Sequence, residues 1–172
     1  MGMAITYVGI KGKPDADLLK SLEVNDAGSA GLDCDYENEI AGIAANENWY
    51  LLIKYGNGEA LQRAELLAAL SKNTRLVVSE VEEHVMFSAS FGWENGREVW
   101  SIVHDSQAGE EHLAIKGAVP AGCAEIARFS LKKQEEENDC DYIFEIPIEL
   151  ARNIHGFRYD GNASGPDIAV NF

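Results

Sequence analysis

Carboxylates, four histidines and three cysteines are the residues of this chain that could do chemistry. The most conspicuous arrangement occurs twice: "DCDYENEI" carries Asp33, Cys34, Asp35, Tyr36 and Glu39, and "DCDYIFEI" carries Asp139, Cys140, Asp141, Tyr142 and Glu145. Clustered aspartates suit a hard cation, but an EF-hand loop needs glycine at its sixth position and glutamate at its twelfth. Counted from Asp33 those positions are Asn38 and Ala44, and from Asp139 they are Phe144 and Leu150, so both copies fail. A zinc site needs a second Cys or His at close spacing, and neither copy has one. A cation shared between the four aspartates, or an oxidised Cys34–Cys140 pair, stays open only if the two segments are neighbours. Read as extended chain, the second copy points Cys140, Tyr142, Phe144 and Ile146 one way and Asp139, Asp141 and Glu145 the other, which predicts an acidic turn entering a strand. The first copy, with Cys34, Tyr36, Asn38 and Ile40 on one side, is a weaker version.

The histidines offer a different chemistry. "EEH" occurs at 82–84 and 110–112, and "HD" at 104–105. A cluster of His84, His104, Asp105 and His112 could bind a metal or act in general acid/base catalysis. Polar strand ends beside turns give the same composition with no chemistry. Nucleophile motifs are missing, and "GNGEA" and "GIKGK" lack the spacing of a phosphate loop, so no catalytic residue, metal or cofactor is expected.

Bulk composition narrows the classes. The 172 residues include 14 Lys and Arg against 29 Asp and Glu, a formal net charge of −15. Such a field repels nucleic acid and anionic membrane and speeds encounter with basic proteins, so the expected partner is a basic protein. No apolar run approaches the roughly 20 residues of a membrane span. "MGMAITYVGIKGK" has neither a basic leader nor a cleavage site, and an odd cysteine count suits reduced thiols; together these predict a cytoplasmic protein.

These residues must be held by elements legible in the pattern. "AITYVGI" and "NWYLLIKYG" read as strands, "PDADLLKSLEV" as a short helix and "EALQRAELLAALSK" as a longer one. "HVMFSASFGW" and "REVWSIVHD" flank Asn95-Gly96, the signature of a type I′ hairpin in which Glu94 faces Arg97. Straight pairing from that turn puts Phe87, Ala89, Phe91 and Trp93 on a core face with Trp100 and Ile102. It leaves Ser88, Ser90 and Gly92 on a smooth face open to a helix, or to a second copy in a homodimer. "EHLAIKG" is a further strand, "PAGCAEIARFSLKKQEEEN" a helix stopping near Gln134, "DYIFEI" a late strand and "PIELARNIHG" a last helix closed by Gly156. Consecutive strands with helices before and after predict α+β: a mostly antiparallel sheet of about five to seven strands, with three or four helices packed on one side. Residues 1–160 form one domain in this reading, and 161–172 a loop-like or partly disordered tail.

"EVEEHVMFSASFGWENGREVWSIVHDSQ" and "DYIFEIPIELARNIHGFRYD" resemble a group of small, acidic, uncharacterised bacterial proteins. In size, charge and element pattern the chain is similar to bacterial toxin-immunity proteins. The resemblance implies a non-enzymatic binder whose acidic face occludes a basic toxin, and it carries over no catalytic residue. The candidate contacts are Asp33, Asp35, Glu37, Glu39, Glu135, Glu136, Glu137, Asp139 and Asp141. A small hydrolase or metal-dependent enzyme built on the histidine cluster, and a self-associating protein, are the competing readings.

Overall fold

The computed structural model describes residues 2–28, 39–137, 140–162 and 164–172, and these form eight strands and five helical segments. The strands are β1 (Ala4–Lys11), β2 (Asn25–Gly28), β3 (Ala41–Ala44), β4 (Trp49–Tyr55), β5 (Arg75–Glu82), β6 (Phe87–Glu94), β7 (Arg97–Asp105) and β8 (Ala114–Gly117). The helices are α1 (Ala16–Ser21), α2 (Glu59–Gln62), α3 (Ala64–Leu70), α4 (Cys123–Glu136) and α5 (Glu145–His155). One sheet runs β2-β3-β4-β1-β5-β6-β7-β8. Seven strands pair antiparallel, and only the short β2 joins its neighbour β3 in parallel. The α+β expectation and the mostly antiparallel sheet hold.

Helices cover both faces of the sheet rather than one. Val8, Ile10, Leu52, Leu76 and Val78 meet Leu61, Leu66, Leu67 and Leu70, with Leu18 and Leu19 of α1 and Leu22 just after it at the margin. From the opposite face Trp49, Val77, Trp100 and Ile102 meet Cys123, Ile126, Ile146, Leu150 and Ile154, while Ile5, Tyr7, Leu51 and Ile53 meet Phe144 and Ile148. A strand buried on both faces needs apolar residues in succession, which is why "AITYVGI" and "YLLIKY" show no alternation.

The segment read as one long helix breaks at Arg63, whose backbone is extended (φ −64°, ψ 125°). On a straight helix Leu61 and Leu70 would point roughly 180° apart, at about 100° per residue. The break resets the phase, so all four leucines reach the sheet.

Asn95 (φ 51°) and Gly96 (φ 84°) make the anticipated turn, with Glu94 opposite Arg97. Two steps out, the register shifts between Gly92 and Trp93. This bulge moves Trp100, Ile102 and His104 across from Gly92, Ser90 and Ser88. The supposed smooth face is therefore the buried one. It lies under α5, where Ser88 Oγ donates to the Phe144 carbonyl (2.6 Å) and Ser90 Oγ to the Pro147 carbonyl (2.9 Å). Self-association through Ser88, Ser90 and Gly92 is thereby excluded.

The strand expected at 141–146 is also corrected. Asp141 Oδ1 accepts the amides of Ile143 (3.1 Å) and Phe144 (3.0 Å), closing a turn that feeds straight into α5 at Glu145. Ile143, Ile146, Leu150 and Ile154 recur at helical spacing and are all buried. The helix stops where anticipated, at Gly156 in the left-handed region (φ 82°).

His155, the last residue of α5, is fully buried beside Tyr7, Trp49 and Phe157. Its Nδ1 accepts the Phe157 amide (3.2 Å), and burial pushes its pKa down to about 3. The folded state thus holds it neutral while the unfolded chain protonates near the ordinary histidine value. Its contribution to stability is complete above about pH 6.5 and falls by roughly 1.4 kcal/mol per pH unit towards pH 3. Denaturation of wild type and His155→Phe across this range checks the sign. The wild type is expected to lose the more stability on acidification, and equal losses would contradict the assignment.

Candidate functional site

The turn between α4 and α5 forms one wall of a cleft of about 650 Å3, lined by Glu83, Met86, Cys140, Asp141, Tyr142, Phe144, Glu145, Tyr159 and Asp160. Glu83 comes from the β5–β6 turn, Asp141 and Glu145 from the entry to α5, and Tyr159 and Asp160 from the segment after Gly156. The second Asp-Cys-Asp-Tyr copy is therefore part of this wall, in a turn and not a strand.

Each carboxylate here has a fixed position. Beyond its two amide bonds, Asp141 presents Oδ2 at 3.1 Å from Nε2 of the buried His104. That contact has ion-pair distance but lies off the line of a good hydrogen bond. His104 Nδ1 meets the His112 carbonyl at 2.7 Å, so the ring ties β7, the β7–β8 loop and the α5 entry together. Asp141→Ala is expected to destabilise the fold by about 1–2 kcal/mol, because the turn amides lose their acceptor. Asp141→Asn, which keeps an acceptor oxygen, should lose less. Chemical denaturation distinguishes the two, and equal losses would contradict the capping role.

Behind the cleft lies an ion-pair network built on Arg158. Its guanidinium meets Glu145 Oε2 (2.6 Å), Asp160 Oδ1 (2.6 Å) and Glu149 Oε1. Glu149 is 1% exposed and also takes Arg152 Nε on Oε2 (2.8 Å). Arg152 reaches on to Asp167 (2.6 Å) and to the carbonyls of Gly165 and Pro166, fastening the last residues to α5. Burial pushes the Asp160 carboxyl up, but the adjoining Arg158 outweighs it and holds the group below the usual range. Tyr159 donates to Glu83 Oε1 (2.7 Å), and burial together with that carboxylate raises its pKa. On the rim, the Tyr142 hydroxyl donates to Glu137, which with partial burial pushes its pKa up to about 12. Lys133 lies 5.1 Å over the Tyr142 ring.

The sequence-derived candidates distribute unevenly. Asp33, Asp35, Glu37 and Asp139 lie outside the described residues. Glu39 is exposed just before β3. Glu135, Glu136 and Glu137 stand exposed at the end of α4, which runs two residues past Gln134; Glu136 pairs with Lys132 at 3.7 Å. Among the alternative set, His104, Asp105 and His112 are adjacent but hold backbone, with the Asp105 amide donating to His112 Nδ1 (3.0 Å). His84 instead meets Glu82 (2.5 Å). Among the described residues, no group of three or more His, Cys, Asp and Glu side chains could hold a metal ion.

Glu83, Glu145, Tyr159 and Asp160 were not candidates in the sequence. A signal existed: Glu145 and Glu149 are four apart, hence on one helix face, and "FRYD" supplies the arginine. Reading 141–146 as strand hid it. No protein-family model, curated protein or solved structure matches this chain.

Proposed function

We propose that this chain is a non-enzymatic acidic binding protein that seats a lysine or arginine of a basic protein partner in the cleft beside the α4–α5 turn. An immunity protein that occludes a basic bacterial toxin is the form of this activity implied by the sequence resemblance. The observation that carries the reading is the convergence of Glu83, Asp141, Glu145 and Asp160 on one opening bordered by Tyr142, Phe144 and Tyr159. A cation entering there gains from charge-assisted hydrogen bonds and from the aromatic rings. The carboxylates are already held by internal donors, so binding orders few side chains and loses little entropy. The net charge of −15 and the exposed Glu135–Glu137 run would steer a basic partner on approach. Among the described residues no helix is long and apolar enough to cross a membrane. His104 lends the enzymatic reading nothing comparable, since it is fully buried and both its nitrogens face protein.

An oligo-arginine peptide tests this, with an oligo-glutamate peptide of equal length as control. Only the cationic peptide is expected to bind. Its association rate should fall steeply as the Debye length shrinks from about 30 Å to about 8 Å between 0.01 and 0.15 M salt. Glu135→Gln/Glu136→Gln/Glu137→Gln should slow association, whereas Glu83→Gln should speed dissociation. Absence of binding, or binding indifferent to salt, overturns the proposal.

A further inference from the structure

A groove of about 700 Å3 between α1 and the turn after α3 has the opposite chemistry. Its lining includes Lys11, Lys13 and Lys72, three of the 14 basic residues of the chain. They come from the end of β1, the β1–α1 loop and the α3–β5 turn, so the fold and not the local sequence gathers them. Among the described residues the one acidic member of the lining is Asp15, whose Oδ1 is committed to the amides of Asp17 (2.9 Å) and Leu18 (3.1 Å). Lys11 is partly engaged as well, donating to the Phe172 carbonyl at 2.9 Å. Lys13 and Lys72 are exposed and have no carboxylate partner among the described residues. The floor between them is apolar, made by Ile10, Leu18 and Leu70. The negative end of the α3 dipole accounts for a lysine at position 72, but not for Lys13 on the facing loop. Thr74 Oγ1 donates to the Lys11 carbonyl at 2.7 Å and holds the two lysine-bearing walls in register.

We propose that this groove binds an amphiphilic organic anion, with its phosphate or carboxylate held by Lys13 and Lys72 and its apolar body lying on Leu18 and Leu70. Neither half suffices alone. The long-range field of a chain at −15 repels free anions, and only short-range, charge-assisted contacts inside the Debye length oppose it. The apolar body supplies what the head group lacks, at about 0.8 kcal/mol per buried methylene, or roughly fourfold in affinity per carbon. This site stands on a different groove from the carboxylate cleft, and neither reading depends on the other.

Calorimetric titration of the intact chain with octyl phosphate, octanoate, octanol and inorganic phosphate tests the proposal. Octyl phosphate or octanoate is expected to bind roughly tenfold or more tighter than octanol or phosphate, and whichever anion is preferred identifies the head group. Lys13→Gln/Lys72→Gln should weaken that binding about tenfold or more, while Lys116→Gln on the β8 edge leaves it unchanged. Both groove lysines are exposed, and an unchanged Tm establishes that the double variant folds. Equal affinity of wild type and double variant, octanol binding as tightly as the anions, or no binding at all would each overturn the assignment.

Discussion

Arg158→Met is expected to destabilise the protein by about 3–5 kcal/mol, the usual consequence of removing one partner from a buried ion pair. The guanidinium satisfies three carboxylates, and Glu149 among them is 1% exposed. Without Arg158, Glu149 keeps Arg152 and Ser164 but loses its closest charge. The most deeply buried charge is Glu149, so Glu149→Leu/Arg158→Met should recover part of the loss by removing it; the residual loss is that of Glu145, Asp160 and Arg152, which each give up one partner. The single variant should also loosen the last residues, since Ser164 bonds to both Arg158 and Glu149. Denaturant unfolding of the four proteins in this cycle gives the coupling directly. A single-variant loss below about 1 kcal/mol, the range of an exposed pair, would contradict the buried-network description.

The second large effect sits at the bulge. Trp100 is 1% exposed and lies across Gly92, where an added Cβ would stand 2.0 Å from the indole Nε1 and 2.2 Å from Cε2. Trp100→Ala is expected to destabilise by about 3–5 kcal/mol through lost burial and the space left behind. Gly92→Ala should cost about 1–3 kcal/mol by forcing the ring from its place. Their combination should cost clearly less than the sum, because the methyl occupies room the indole has vacated. Strict additivity would mean that the ring does not pack on Gly92.

The bulge also marks how far the sequence could be read. Asn95-Gly96 specifies the hairpin turn and its first pair from backbone preference alone. The single extra residue at Val99 leaves no sequence mark, yet it exchanges the buried and covered faces of β6 relative to β7. Central strands were legible because residues buried on both sides must be continuously apolar. Arg63 was not, since nothing local ends a helix of such favourable residues; the need for Leu61 and Leu70 to reach the same sheet does. At the cleft the aspartates were visible as charge, but the role of Asp141 was not, because capping and surface display use the same residue type. A six-residue alternation at 141–146 concealed the helical spacing of Ile143, Ile146, Leu150 and Ile154. The network behind it needs Arg158, which reaches Glu145 and Glu149 only because Gly156 turns the chain back.

Whether the cleft at the α4–α5 turn receives a basic side chain can be read from amide NMR during titration with a short arginine-containing peptide. Saturable shifts are expected, concentrated at Glu83, Met86, Cys140–Tyr142, Tyr159 and Asp160 and weakened by Glu83→Gln and by added salt. Shifts absent from these residues, or spread evenly over the acidic surface, would contradict binding in the cleft.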